Sequence, residues 1–249
     1  VLAFLTLAVL LVLIAPEQAR GATALTGQHR TLASGRTYWL NNATGLDSGD
    51  RLVIGLSGTS HSAQNANETF WVTGDPATTG WQRHAVLRSY SLALADSVAG
   101  EWNVGGGWAG GSQDDVSYLV ALVADATAVH GEPYAEVYIA GFSAGGAMAW
   151  RAVADRPDVF TACGMASGWA SYYPSHTMDC WHVHGTTDTT VPIRGGAGIR
   201  GFVFPPAFQE ESRSPRGSRA IMEATGGNHS VTGWMAERLW TEWTIGSLS

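Results

Sequence analysis

The sequence predicts an α/β fold with a mostly parallel central sheet and helices on both faces, and three observations carry that prediction. Short apolar, β-branched segments alternate with longer segments of helical period, the pattern of strands joined by crossover helices. One strand–helix junction reads Gly141-Phe142-Ser143-Ala144-Gly145, a turn whose flanking glycines leave room for a sharp reversal. The chain has 249 residues, 45% of them apolar and 14% charged, which suits one domain with a substantial core. Neither an internal repeat nor a linker divides it.

Val1 to Ile14 is a nearly unbroken apolar run, followed by the small residues around Ala15 to Ala24. It is short for a membrane span and matches the hydrophobic part of a signal peptide, with Ala19-x-Gly21 or Ala22-x-Ala24 as candidate cleavage sites. A membrane anchor is the competing reading. The run opens on valine without a basic start, so the leader reads as truncated. The expected organisation is a signal peptide over 1–24 and a single catalytic domain over 25–249, secreted and with no stable membrane anchor.

Thr37 to Leu40 and Arg51 to Leu56 read as early strands, the second running into Ser57-Gly58-Thr59-Ser60. Ser91 to Ala95 is a further strand, before a glycine-rich loop over 100–111. Asp114 to His130 has helical period, with Val116, Leu119, Val120 and Val123 on one face and two aspartates in the first turn, where the dipole favours them. Glu136 to Ala140 is a buried strand, and Gly146 to Ala154 continues the turn at Ser143 into a helix. Phe160 to Ala166, Cys180 to His184 and Arg219 to Ala224 complete the strands, and Trp234 to Ile245 reads as a closing helix. Residues 195–218 form an irregular excursion, so any lid is minimal.

Cys163 stands five residues before Gly168, and Cys180 five before Gly185. If the two segments are neighbouring parallel strands ending at those glycines, the sulfurs lie at one height. A disulfide is therefore expected, with two buried thiols as the alternative.

A serine between a strand and a helix in Gly-x-Ser-x-Gly is the context of a nucleophile elbow in an α/β-hydrolase fold, which holds the hydroxyl above the sheet. Serine needs a base, and the base an orienting carboxylate. In that fold they follow in the order Ser, Asp or Glu, His, on loops at the carboxyl edge of the sheet. Asp188, after the strand Cys180 to His184, and His229, in Gly226-Gly227-Asn228-His229, satisfy order and place. Asp179 precedes its strand, and Asp155 and Asp158 flank Pro157 on the surface. The backbone N–H groups of Ala144 and Thr59 are the candidate oxyanion donors, with Ser60 as the fallback for Thr59. His182 and His184 alternate on one strand face, but no third ligand at convincing spacing accompanies them, so structural roles are expected and no metal.

In these pieces and their order the chain resembles the polyhydroxybutyrate depolymerase and feruloyl esterase group of secreted α/β-hydrolases. The matching segments are Leu52 to Ser60, Gly100-Glu101-Trp102-Asn103, Asp114 to Leu119, Val137 to Gly146, Arg156 to Phe160, His184-Gly185-Thr186-Thr187-Asp188 with Val191-Pro192, and Gly226 to His229. The resemblance implies Ser143 as nucleophile, Asp188 as orienting acid and His229 as base, in an ester hydrolase without cofactor. Two positions depart from the family pattern. Ser57-Gly58 stands where His-Gly is usual, and Ser230-Val231-Thr232 where Trp-Pro often follows the histidine.

Among eleven tryptophans, Trp102, Trp108 and Trp234 are candidates for an aromatic substrate-binding surface. The expected partner is an ester: a polyester or oligoester, or feruloyl or acetyl groups on plant-wall polysaccharide. A net charge of −7 disfavours nucleic acid, and the complete absence of lysine excludes a lysine nucleophile. A catalytically silent binding module on the same fold is the reading from another class.

Overall fold

The computed structural model describes residues 23–44, 50–60, 85, 89–108, 110–207 and 221–230. Eight strands form one sheet: β1 (Thr23–Thr31), β2 (Thr37–Thr44), β3 (Arg51–Leu56), β4 (Ser91–Ala95), β5 (Glu136–Phe142), β6 (Ala162–Ala166), β7 (Cys180–Gly185) and β10 (Ile221–Ala224). Their spatial order is β1-β2-β4-β3-β5-β6-β7-β10. From β4 to β10 every pairing is parallel, while β2 pairs antiparallel with both β4 and β1. The expected α/β fold with a mostly parallel sheet is the observed one.

The central strands are buried on both faces, as their near-continuous apolar sequences require. Along β3 and β5, Leu52, Ile54, Leu56, Val137 and Ile139 point to one face. Val53, Tyr138, Ala140 and Phe142 point to the other. Helices α1 (Asp115–His130) and α2 (Ala144–Asp155) both pack on the first face. The closing helix expected over 234–245 lies outside the described residues, as do residues 208–218 of the excursion. Among the described residues no helix is long and apolar enough to cross a membrane.

Helix α1 begins one residue later than expected, because Asp114 is its N-cap, accepting from the Ser117 amide at 3.0 Å. It ends where Gly131 enters the left-handed region at φ 94°. Asp115 is buried rather than a surface charge near the dipole. Its carboxylate bonds Arg36 at 2.8 Å and the Asn103 amide at 2.7 Å, fixing the start of the glycine-rich loop against the helix.

Strand β1 was not among the expected elements, and its first two residues fall in the span assigned to the signal peptide. Its sequence, TALTGQHRT, is polar with no period. A long-range contact fixes it: Arg30 bonds Asp125 of α1 at 2.9 Å, and Tyr38 of β2 shares that carboxylate at 2.6 Å.

Cys163 and Cys180 face each other in register across β6 and β7, with Cα atoms 4.5 Å apart, and are disulfide-bonded. The excursion after residue 195 contains a short hairpin, β8 (Gly196–Ala197) and β9 (Val203–Phe204), around a single 3₁₀ turn. It is tied to the loop after β7 by the Ile199 amide, which donates to Thr190 O at 2.9 Å.

Candidate active site

β5 runs into Ser143, which takes φ 55° and ψ −122°, a conformation that L-residues rarely adopt. Neighbours on both sides hold it there. The Ser143 amide donates to Ala166 O of β6 at 2.9 Å, and the Ser143 carbonyl accepts from Ala147 in the first turn of α2 at 3.1 Å. Such strain persists only where the surroundings over-determine it.

The two flanking glycines have steric reasons to be glycine. A Cβ on Gly145 would lie 2.4 Å from the Ser57 carbonyl oxygen and 2.6 Å from that of Leu56. A Cβ on Gly141 would lie 2.3 Å from the Gly145 carbonyl. Gly145→Ala is therefore expected to destabilise the fold by about 1–3 kcal/mol or more, because backbone rather than a flexible side chain must yield. A lowered denaturant midpoint at unchanged m value checks this.

Asp188 lies in the loop that follows β7, and its carboxylate is fully buried. Oδ1 accepts the Thr190 amide at 2.8 Å and the Val191 amide at 2.9 Å. Oδ2 faces His229 Nδ1 at 2.7 Å and His184 Nε2 at 3.2 Å. Burial alone would raise the carboxyl pKa. The hydrogen bonds from His184, His229 and Val191 outweigh it and hold Asp188 well below the usual carboxylate range.

His229 Nε2 lies 3.1 Å from Ser143 Oγ, and its ring packs against Phe142 at 4.7 Å between centroids. An ionised Asp188 can only accept, so Nδ1 carries the proton and Nε2 presents a lone pair to the serine hydroxyl.

The Asp188 and His229 loops are sewn together. Thr187 bonds Gly227 O through both its amide and its hydroxyl, at 2.9 and 2.8 Å, and the Gly226 amide donates to Thr186 Oγ1 at 2.8 Å. Gly185 allows the approach, since a Cβ there would stand 2.3 Å from Gly227 O.

Ala144 N–H is the first amide of α2, one of those a helix leaves without an intrahelical acceptor. The loop after β3 lies beside it: a Cβ on Gly58 would come within 3.4 Å of Ser143 Cβ. Thr59 follows, half-buried in the turn. Ser60 does not serve as the alternative donor, because its amide is committed to Gly100 O at 2.7 Å.

Trp102 is fully buried, and its Nε1–H donates to Ser57 O at 2.8 Å. That corrects its expected place on a substrate-binding surface: the indole is a strut under the loop next to Ser143. Trp108 is also interior, 9% exposed and packed among Trp169, Phe202 and Phe204 with centroids 5.0 to 6.2 Å away. Trp234 lies outside the described residues. His182 and His184 are both buried and bonded to each other at 2.8 Å. Sequence reading missed that His184 touches Asp188. The available signal was its place on the strand face that leads into the Asp188 loop.

Burial pushes His184 below the usual histidine range, opposed by its bond to Asp188. Both groups therefore bind protons more readily in the unfolded chain, and stability falls as pH falls. The contribution of His184 is complete above its unfolded pKa of about 6.5, and that of Asp188 above about 3.9. Thermal melts should show Tm declining from pH 7 to 5, then more steeply below about pH 4.

With fold and geometry in hand, comparison with known proteins adds one finding. The chain is structurally similar to an acetyl xylan esterase from Aspergillus awamori, with a TM-score of 0.60 over 86% of this chain and 98% of that one, at 14% identity. No protein-family model and no curated protein sequence matches the chain. The architecture is an α/β-hydrolase-type fold.

Proposed function

We propose that the chain is a secreted serine carboxylic-ester hydrolase. One observation carries this reading: the continuous hydrogen-bonded chain Ser143–His229–Asp188, on a strained turn before a helix N-terminus. In the proposed reaction His229 takes the Ser143 proton as Oγ attacks the ester carbonyl. The oxyanion receives the N–H groups of Ala144 and Thr59. His229 then protonates the departing alcohol, and later activates the water that releases the acid from the acyl-enzyme.

The substrate proposed first is a hydroxyalkanoate polyester or oligoester, in keeping with the motif resemblance. Acetyl or feruloyl groups on polysaccharide are the second reading, which the fold similarity to an acetyl xylan esterase supports. The interior positions of Trp102 and Trp108 remove these two from the aromatic surface expected for either. Export is supported by the disulfide, a bond rare in reducing compartments, and by the apolar leader.

The test is hydrolysis of p-nitrophenyl acetate, poly(3-hydroxybutyrate), a feruloylated oligosaccharide and acetylated xylan, by the wild type and Ser143→Ala. Turnover that survives the substitution overturns the assignment. No turnover of any ester favours a binding module on this fold.

A further inference from the structure

We infer that His184, backed by His182, is a positioning residue for the Ser143–His229–Asp188 chain, an inference that rests on the triad reading above. His184 Nε2 stands 2.7 Å from Val191 O and 3.2 Å from Asp188 Oδ2, and Nδ1 stands 2.8 Å from His182 Nε2. Both rings are buried.

The proton positions follow from one carbonyl. Val191 O can only accept, as can an ionised Asp188, so His184 Nε2 must carry a proton. Burial favours the neutral ring, which leaves Nδ1 bare and requires the donor to be His182 Nε2–H. The hydrogen bonds therefore run one way, from His182 to His184 and on to Val191 O, and the same Nε2 stands 3.2 Å from Asp188 Oδ2.

Asp188 Oδ2 thus has an imidazole nitrogen on either side, His229 hydrogen-bonded at 2.7 Å and His184 in polar contact at 3.2 Å. The two backbone amides on Oδ1 fix the other end. The carboxylate cannot rotate away from His229 without losing several of these bonds at once. Because His184 is neutral, it holds the carboxylate without placing a second positive charge beside the imidazolium that His229 becomes during turnover. Its partial positive N–H also tempers the field that Asp188 exerts on His229.

Among the described residues, the titratable groups facing His184 are few. His182 shares its strand and Asp188 its following loop, while Glu223 of β10 stands opposite it in register and is exposed. The charged residues of α2, Arg151 and Asp155, pair with each other at 3.3 Å.

The experiment compares His184→Met, which removes the donor, with His184→Gln, which keeps an N–H near the Nε2 position. The readouts are kcat and KM for p-nitrophenyl acetate across pH, with imidazole 15N shifts of the wild type recorded in parallel. His184→Met should lower kcat about tenfold at nearly constant KM, as expected for losing a polar contact that steadies a buried carboxylate. It should also move the acid limb of the profile to higher pH, because the Asp188 carboxylate then acts undamped on the positive charge that forms beside it. His184→Gln should recover most of both.

A folded His184→Met with wild-type kcat and acid limb overturns the inference, and so does equal loss in both variants. If His184→Met fails to fold, the wild-type spectrum decides. Neutral His184 with the proton on Nε2 from pH 5 to 8 supports the inference, and a proton on Nδ1 overturns it. An inactive wild type would instead count against the ester-hydrolase reading, while the 15N shifts still decide the hydrogen-bond chain.

Discussion

Ser143→Ala is expected to lower kcat on a hydrolysable ester by about 10^6-fold, to the level left by binding and the oxyanion donors alone. The removed Oγ is the atom that bonds to the substrate carbonyl, and nothing else at the turn replaces it. The protein should remain folded. Alanine meets the same penalty at φ 55° that serine already bears, and the amide and carbonyl that anchor the turn belong to the backbone. Matched circular dichroism and melting curves for the two proteins, alongside the lost turnover, would separate chemistry from structure. Residual activity within a hundredfold of wild type would remove Ser143 from the role of nucleophile.

Asp188→Asn should cost about 10^4-fold in kcat, for a reason the surrounding donors dictate. The Thr190 and Val191 amides point at Oδ1, so an asparagine would turn its carbonyl oxygen toward them. Its NH2 group would then occupy the Oδ2 position, where it can only donate to His229 Nδ1. His229 would be driven to the tautomer with its proton on Nε2, which cannot accept from Ser143. Raising the pH would not rescue the variant, because the defect is one of tautomer rather than ionisation. The double substitution with Ser143→Ala should be no slower than Ser143→Ala alone, since both changes disable one unit. Steady-state kinetics of the three variants checks this.

Much of this was legible in the sequence because each site residue came with its own punctuation. Gly141 and Gly145 frame Ser143, Gly185 precedes Asp188, and Gly226-Gly227 precede His229. Backbone approaches that no side chain would permit explain Gly141, Gly145 and Gly185. The strands β3 to β7 were legible because burial on both faces writes itself as continuous apolar sequence. β1 was not, because an ion pair with a helix nearly a hundred residues away holds it, and its own residues carry no periodicity. Nor was the place of Trp102. A tryptophan suits a surface as well as a core, and what decides is a carbonyl 45 residues upstream that its indole reaches. The Cys163–Cys180 pairing was readable only from the matched distances to Gly168 and Gly185, which put the two cysteines in register.

The stitching of the Asp188 and His229 loops has a consequence for how activity is lost. His229 is carried by the segment after β10, whose pairing with β7 spans four residue pairs and which ends the described sheet. Ser143 sits instead between β5 and α2, deep in the middle of the sheet. Ser143 and His229 thus belong to regions of unequal local stability, and an outer strand with few partners opens well before the core does. Opening of β10 alone would carry His229 away while the turn at Ser143 stayed intact. On warming, the proposed activity would then be lost while the chain is still folded, and return on cooling as the strand docks again.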